Sequence, residues 1–111
     1  MAESVETSVE WVYLTLSSEE EAVRLARVVL DEKLAACANL LGGIRSLYRW
    51  QGELCDEQEV AMVLKTTSFR VEELMGRLSE LHSYQTPCIL AFSAHRADAL
   101  FSSWVVSQVD A

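Results

Sequence analysis

Apolar and polar positions alternate, bunch and thin along this chain in a way that marks out its elements. Val9 to Leu16 (Val-Glu-Trp-Val-Tyr-Leu-Thr-Leu) has the β-branched and aromatic content of a strand. Ser17-Ser18-Glu19-Glu20-Glu21 then reads as a helix start: Ser18 and Glu21 stand at capping-box spacing, with three carboxylates at the positive end of the helix dipole. A solvated first turn accounts for those glutamates better than a metal site does. From there Ala22, Leu25, Ala26, Val29, Leu30 and Leu34 recur at helical spacing and predict one buried face, fading through Ala35-Ala36-Cys37-Ala38. Two β-rich runs follow, Asn39–Trp50 and Leu54–Thr67, on either side of Gln51-Gly52-Glu53; they predict a long hairpin with a loop of three to five residues. Thr67-Ser68 caps a second amphipathic helix with Val71, Leu74, Met75, Leu78 and Leu81 as its stripe. Pro87 marks the switch into a last strand, Cys88–Ala94. His95 to Asp98 is turn-like, and Ala97, Leu100, Phe101, Trp104, Val105 and Gln108 carry a terminal helix. Residues 1–8 read as a frayed acidic lead-in, leaving one domain over 9–111.

The order β-α-β-β-α-β plus a terminal helix is the α+β, ferredoxin-like pattern: a four-stranded antiparallel sheet with helices on one face. At ~3.3 Å per residue the hairpin arms span roughly 35 Å, whereas a compact domain of this length has a radius of gyration of only ~13 Å. The ribbon must therefore overhang its own core, or else curl back through a bulge at Gly42-Gly43. Tyr48 and Trp50, two apart, share one face of the ribbon, and Arg49 takes the other. An overhang with exposed aromatics predicts an interface between subunits.

Charge and cysteine usage narrow the partners. Seventeen acidic residues against nine basic give a net charge of −8, which disfavours nucleic acid and anionic lipid. The first ten residues lack the basic and apolar regions of a signal peptide, and no run of apolar residues is long enough to span a bilayer. Cys37, Cys55 and Cys88 are odd in number and widely spaced, which argues against a disulfide framework and for a reducing cytoplasm.

Candidate chemistry is sparse. The chain has no Gly-rich phosphate loop, no Cys-x-x-Cys and no Gly-x-Ser-x-Gly elbow, so the expectation is a protein that is not an enzyme. What remains is His82, Tyr84, Gln85 and Cys88 around the second helix and last strand, with Lys65 at the far end of the hairpin. Imidazole and thiolate together suit copper or zinc; a surface histidine and a core cysteine account for the same residues. Cys37 reads as a small core residue, His95 as an exposed loop residue, and Trp104 as a core or interface anchor.

Five separated segments resemble, in order and spacing, the CutA divalent-cation tolerance family: Glu32-Lys-Leu-Ala-Ala-Cys-Ala-Asn39, Ser46-Leu-Tyr-Arg-Trp-Gln-Gly52, Leu64-Lys-Thr-Thr67, Tyr84-Gln-Thr-Pro87 and Ser103-Trp104. The resemblance implies a homotrimer of ferredoxin-like subunits, architecturally like the nitrogen-signalling PII proteins, with no obligatory cofactor but with copper or another divalent cation as ligand. It also implies copper ligation by a first-strand cysteine and a histidine pair ahead of Tyr-Gln-Thr-Pro. Here those positions hold Thr15 and Leu81-His82, and the position after the proline, usually glutamate, is Cys88. His82 and Cys88 are thus the metal candidates, suited to a softer, copper(I)-leaning site completed from another subunit. Two further readings stand beside it. One is a small-molecule sensor, with inter-subunit clefts lined by Trp50, Lys65 and Tyr84 holding an anionic ligand; the other is an enzyme using Tyr84, Lys65 or Cys88. No protein partner is legible.

Overall fold

The computed structural model describes residues 3–110. In chain order the elements are β1 (Ser4–Glu6), β2 (Val9–Leu16), α1 (Glu19–Asp31), β3 (Cys37–Trp50), β4 (Glu53–Thr67), α2 (Val71–Leu81), β5 (Ile89–Ser93), β6 (Arg96–Asp98) and α3 (Ala99–Val109). The main sheet has the order β3-β4-β2-β5 with every neighbouring pair antiparallel, which is the ferredoxin-like arrangement.

Strand parity decides which face becomes the core. Val12, Leu14 and Leu16 from β2 and Met62 and Leu64 from β4 point to one side, where Ala22, Leu25 and Val29 of α1 and Leu74 and Leu78 of α2 meet them, all fully buried. Leu34 belongs to this core from beyond the end of α1, whereas Leu30, expected on the buried stripe, is exposed. Ser18 caps α1 as expected, accepting from the Glu21 N–H at 3.1 Å. The cap expected for α2 at Thr67-Ser68 is absent: that helix begins after Arg70 with no side-chain cap, and the Arg70 guanidinium donates instead to the Val109 carbonyl at 2.8 Å.

The opposite face of the sheet carries Trp11, Tyr13 and Thr15 from β2, Leu90 and Phe92 from β5 and Cys37 from β3, and α1 and α2 leave it open. Trp11 and Phe92 stack on it at 4.6 Å between ring centroids. Cys37 is therefore half-buried on this open face rather than a core residue. Among the described residues only α3 covers part of the face: Val105 and Val109 are buried and the Thr67 hydroxyl reaches Asp110, while Leu100, Phe101 and Trp104 remain exposed.

The long hairpin exists, with a tighter turn than the sequence suggests. Trp50 pairs with Glu53, leaving a two-residue loop of Gln51 (φ 50°) and Gly52 (φ 83°), the left-handed pair of a type I′ turn. A bulge also exists between Leu41 and Ile44, with Gly43 at φ 74°. It does not fold the ribbon back: the molecule measures 48 × 27 × 21 Å, with a radius of gyration of 15.0 Å. At the outer end Leu47 and Leu54 are 61% and 67% exposed.

The acidic lead-in and the turn at residues 95–98, both expected to be irregular, form a small ribbon. Ser4–Glu6 pairs with Arg96–Asp98, Arg96 grips Ser4 through its carbonyl and hydroxyl, and Thr7 bonds Ser102. Met1 and Ala2, at the start of that lead-in, lie outside the described residues. Because Leu74 is fully enclosed between helix and sheet, Leu74→Ala should cost about 2–5 kcal/mol in denaturant unfolding. A loss below about 1 kcal/mol would contradict the packing described.

Candidate functional site

One face of the overhanging ribbon, from Glu59 near its base to Trp50 beside its turn, meets the Tyr84-Gln85-Thr86 segment and Cys88 to form a cleft of about 520 Å³. Its walls come from Thr15 of β2, Ser46, Tyr48 and Trp50 of β3, Glu57 and Glu59 of β4, and Tyr84, Gln85, Thr86 and Cys88. Parity explains the β3 and β4 contributions: Ser46 pairs with Glu57 and Ile44 with Glu59, so both carboxylates share a face with Tyr48 and Trp50.

Two phenols address the two carboxylates. Tyr84 Oη donates to Glu59 Oε2 at 2.6 Å, and Tyr48 Oη donates to Glu57 Oε1 at 2.9 Å. The Glu57 carboxylate pushes the Tyr48 hydroxyl up to about 12, and burial together with Glu59 pushes the Tyr84 hydroxyl higher still. Both phenols therefore stay neutral donors at ordinary pH. Among the described residues no lysine or arginine forms an ion pair with either glutamate.

Beneath this wall lies His82, buried with both ring nitrogens engaged. The Tyr84 N–H donates to Nδ1 at 3.1 Å, which places the ring proton on Nε2, and Nε2–H donates to the Thr15 carbonyl at 2.8 Å. Glu21 anchors the same segment. It is buried, accepts from the Ser83 N–H at 2.9 Å and from the Ser17 hydroxyl at 3.0 Å, and so departs from the solvated first turn expected for it. Glu19 and Glu20 are exposed.

Of the residues singled out from sequence, the cleft gathers Tyr48, Trp50, Tyr84, Gln85 and Cys88. Lys65 is not among its walls. It pairs with Trp11 and Cys37 in the sheet and donates its ammonium to Asn39. Trp104 sits on α3 beside Phe101 at 5.8 Å, also away from the cleft. The expected anionic ligand does not suit this site, because its charged side chains are Glu57 and Glu59. The expected His82–Cys88 pair is also not a ready metal site: Cys88 is exposed in the cleft, while His82 has no free lone pair. Among the described residues no three His, Cys, Asp or Glu side chains converge to hold a metal ion. Glu57 and Glu59 were missed; their spacing of two along β4, opposite the strand that carries Tyr48 and Trp50, was the available signal.

Comparison with known proteins agrees with this architecture. The model for the CutA1 divalent ion tolerance protein family matches residues 10–108. The chain belongs to the CutA divalent-ion tolerance family. The divalent-cation tolerance protein CutA of Citrobacter koseri is 46% identical over 94 residues, covering 85% of this chain and 82% of that one. A crystal structure of CutA from Xylella fastidiosa superposes with a TM-score of 0.91 at 31% identity, over 94% of this chain and 100% of that one. A structure described as the periplasmic divalent cation tolerance protein CutA from Archaeoglobus fulgidus gives a TM-score of 0.87 at 38% identity, over 91% and 98% of the two chains. Within the CutA family frame, Thr15 and Cys88 share the cleft, and His82 is bound to the Thr15 backbone.

Glu21 makes the support of this segment pH-dependent. Burial would raise its carboxyl, but the Ser83 and Ser17 hydrogen bonds outweigh that and hold it below its ordinary 4.5. A group whose folded value is lowered contributes stability above its unfolded value, and that contribution is lost as pH falls through the folded value. Glu21→Gln should therefore destabilise the protein at neutral pH, and the gap to wild type should close as pH drops below 4.5. Thermal melts across that range check this; a gap independent of pH would contradict it.

Proposed function

We propose that the protein serves divalent-cation tolerance, with copper as the leading ion, acting in the cytoplasm as a homotrimer in whose clefts the ligand binds. One observation carries this reading: Glu57, Glu59 and Cys88 line one cleft without a cationic side chain among its walls. Carboxylates and a thiol are metal donors, and the thiol biases the set toward copper. A neighbouring subunit supplies the remaining donors. His82 acts here as a support for Tyr84 rather than as a ligand. The trimer reading is supported by the open sheet face and by the overhanging ribbon, whose Tyr48 and Trp50 are 39% and 41% exposed in the single chain. The free thiols fit a reducing compartment.

A second reading, a PII-like trimer that senses a small molecule, is favoured by the cleft's size. About 520 Å³ lined by three aromatic side chains exceeds what a bare metal ion fills and falls within the range of small-ligand pockets. No enzymatic role is proposed.

Calorimetric titration of the reduced, assembled protein with copper tests the first reading. Glu59→Gln combined with Cys88→Ala should weaken binding about tenfold or more, while His82→Ala should act mainly on stability. Copper affinity unchanged in the double variant would contradict direct binding in the cleft.

A further inference from the structure

We infer that the cleft is a receptor for a small organic cation, an alkylated ammonium group held among Tyr48, Trp50 and Tyr84 and paired with Glu57 and Glu59. This rests on the second reading above, that the cleft takes a small molecule, and names the class of molecule.

The Glu59 carboxylate carries the argument furthest. It is only 8% exposed, yet among the described residues it has no cationic partner; its single hydrogen bond is the one Tyr84 gives to Oε2. A carboxylate withdrawn from water and left without a countercharge is costly unless something positive arrives. Glu57, two residues away on the same face, doubles the negative charge, and its hydrogen-bond partner is again a neutral phenol. The hydroxyls fix where the carboxylate oxygens lie without cancelling their charge.

The remaining walls select among cations. A bare metal ion asks for several converging donors, and among the described residues no three are brought together. Two tyrosines and a tryptophan instead offer π faces, which attract alkylammonium groups and give most when the cation is desolvated. The cleft is large enough for such a group with a short polar tail, and Ser46, Gln85 and Thr86 offer hydrogen bonds to that tail. Anions are repelled, and a neutral molecule leaves Glu59 uncompensated.

A charge series on one shape tests this: choline, its neutral carbon analogue neohexanol, and the anionic tert-butylacetate, each titrated calorimetrically into the assembled protein, with zinc in parallel. Choline should bind about tenfold more tightly than neohexanol, and tert-butylacetate should not bind. Trp50→Leu and Glu59→Gln should each reduce choline affinity about tenfold; Glu59→Gln keeps an oxygen for Tyr84, and circular dichroism verifies that both variants fold. Choline binding equal to that of neohexanol, or unchanged in both variants, overturns the inference. Neohexanol or tert-butylacetate binding while choline is refused overturns it but leaves a small-molecule cleft standing. Zinc binding with none of the three organic probes overturns the inference together with the small-molecule reading.

Discussion

The ribbon formed by β3 and β4 is longer than the core that anchors it, and most of what is unusual about this molecule follows from that mismatch. Its inner halves are held by register with β2 and by Met62 and Leu64 in the core, while its outer end, with Leu47, Leu54, Tyr48 and Trp50, has no helix beneath it. A two-residue type I′ turn keeps the arms paired to the tip, and the Arg45–Asp56 bidentate bridge, with bonds of 2.9 and 2.7 Å, ties them across the outer surface. Isolated two-stranded ribbons are marginal in water. The proposed trimer answers this directly, because a neighbour supplies the apolar surface that the subunit lacks.

The same geometry produces the cleft. Where the ribbon leaves the body, its inner face turns toward the Tyr84-Gln85-Thr86 segment, and that segment is pinned from below by Glu21 and His82. Three hydrogen bonds, from the Ser83 N–H to Glu21, from the Tyr84 N–H to His82 and from the Tyr84 hydroxyl to Glu59, joined by the backbone of residues 82–84, connect the first turn of α1 to the cleft wall. Glu21 and His82 are thus structural supports, and the charged side chains of the cleft are Glu57 and Glu59.

Much of this was legible in the sequence. Period-two and period-3.6 patterns gave the four main strands and three helices, and the hairpin's length against the domain's size gave the overhang. What escaped did so for physical reasons. Ser4-Val5-Glu6 has no apolar alternation, so its pairing with Arg96–Asp98 depends on the Arg96 and Thr7 side-chain bonds that pattern cannot show. Glu21 has the same identity whether it caps a helix in water or accepts a bond from residue 83. Gln51 is not a turn residue by type, and only the Trp50–Glu53 register makes it one. Lys65 and Glu57 share a strand and a face, but eight residues separate them by about 26 Å. The sign of the cleft's charge therefore depended on which end of the strand the cleft occupies. The family segments pointed to Tyr84 and Trp50 but not to the carboxylates they accompany.

The outer half of the ribbon needs shelter that other copies of the chain can give. Multi-angle light scattering on the purified protein at micromolar concentration measures this most directly. A single species at three times the 12.4 kDa chain mass is the predicted result. A folded species at the mass of one chain, stable on dilution, would contradict it.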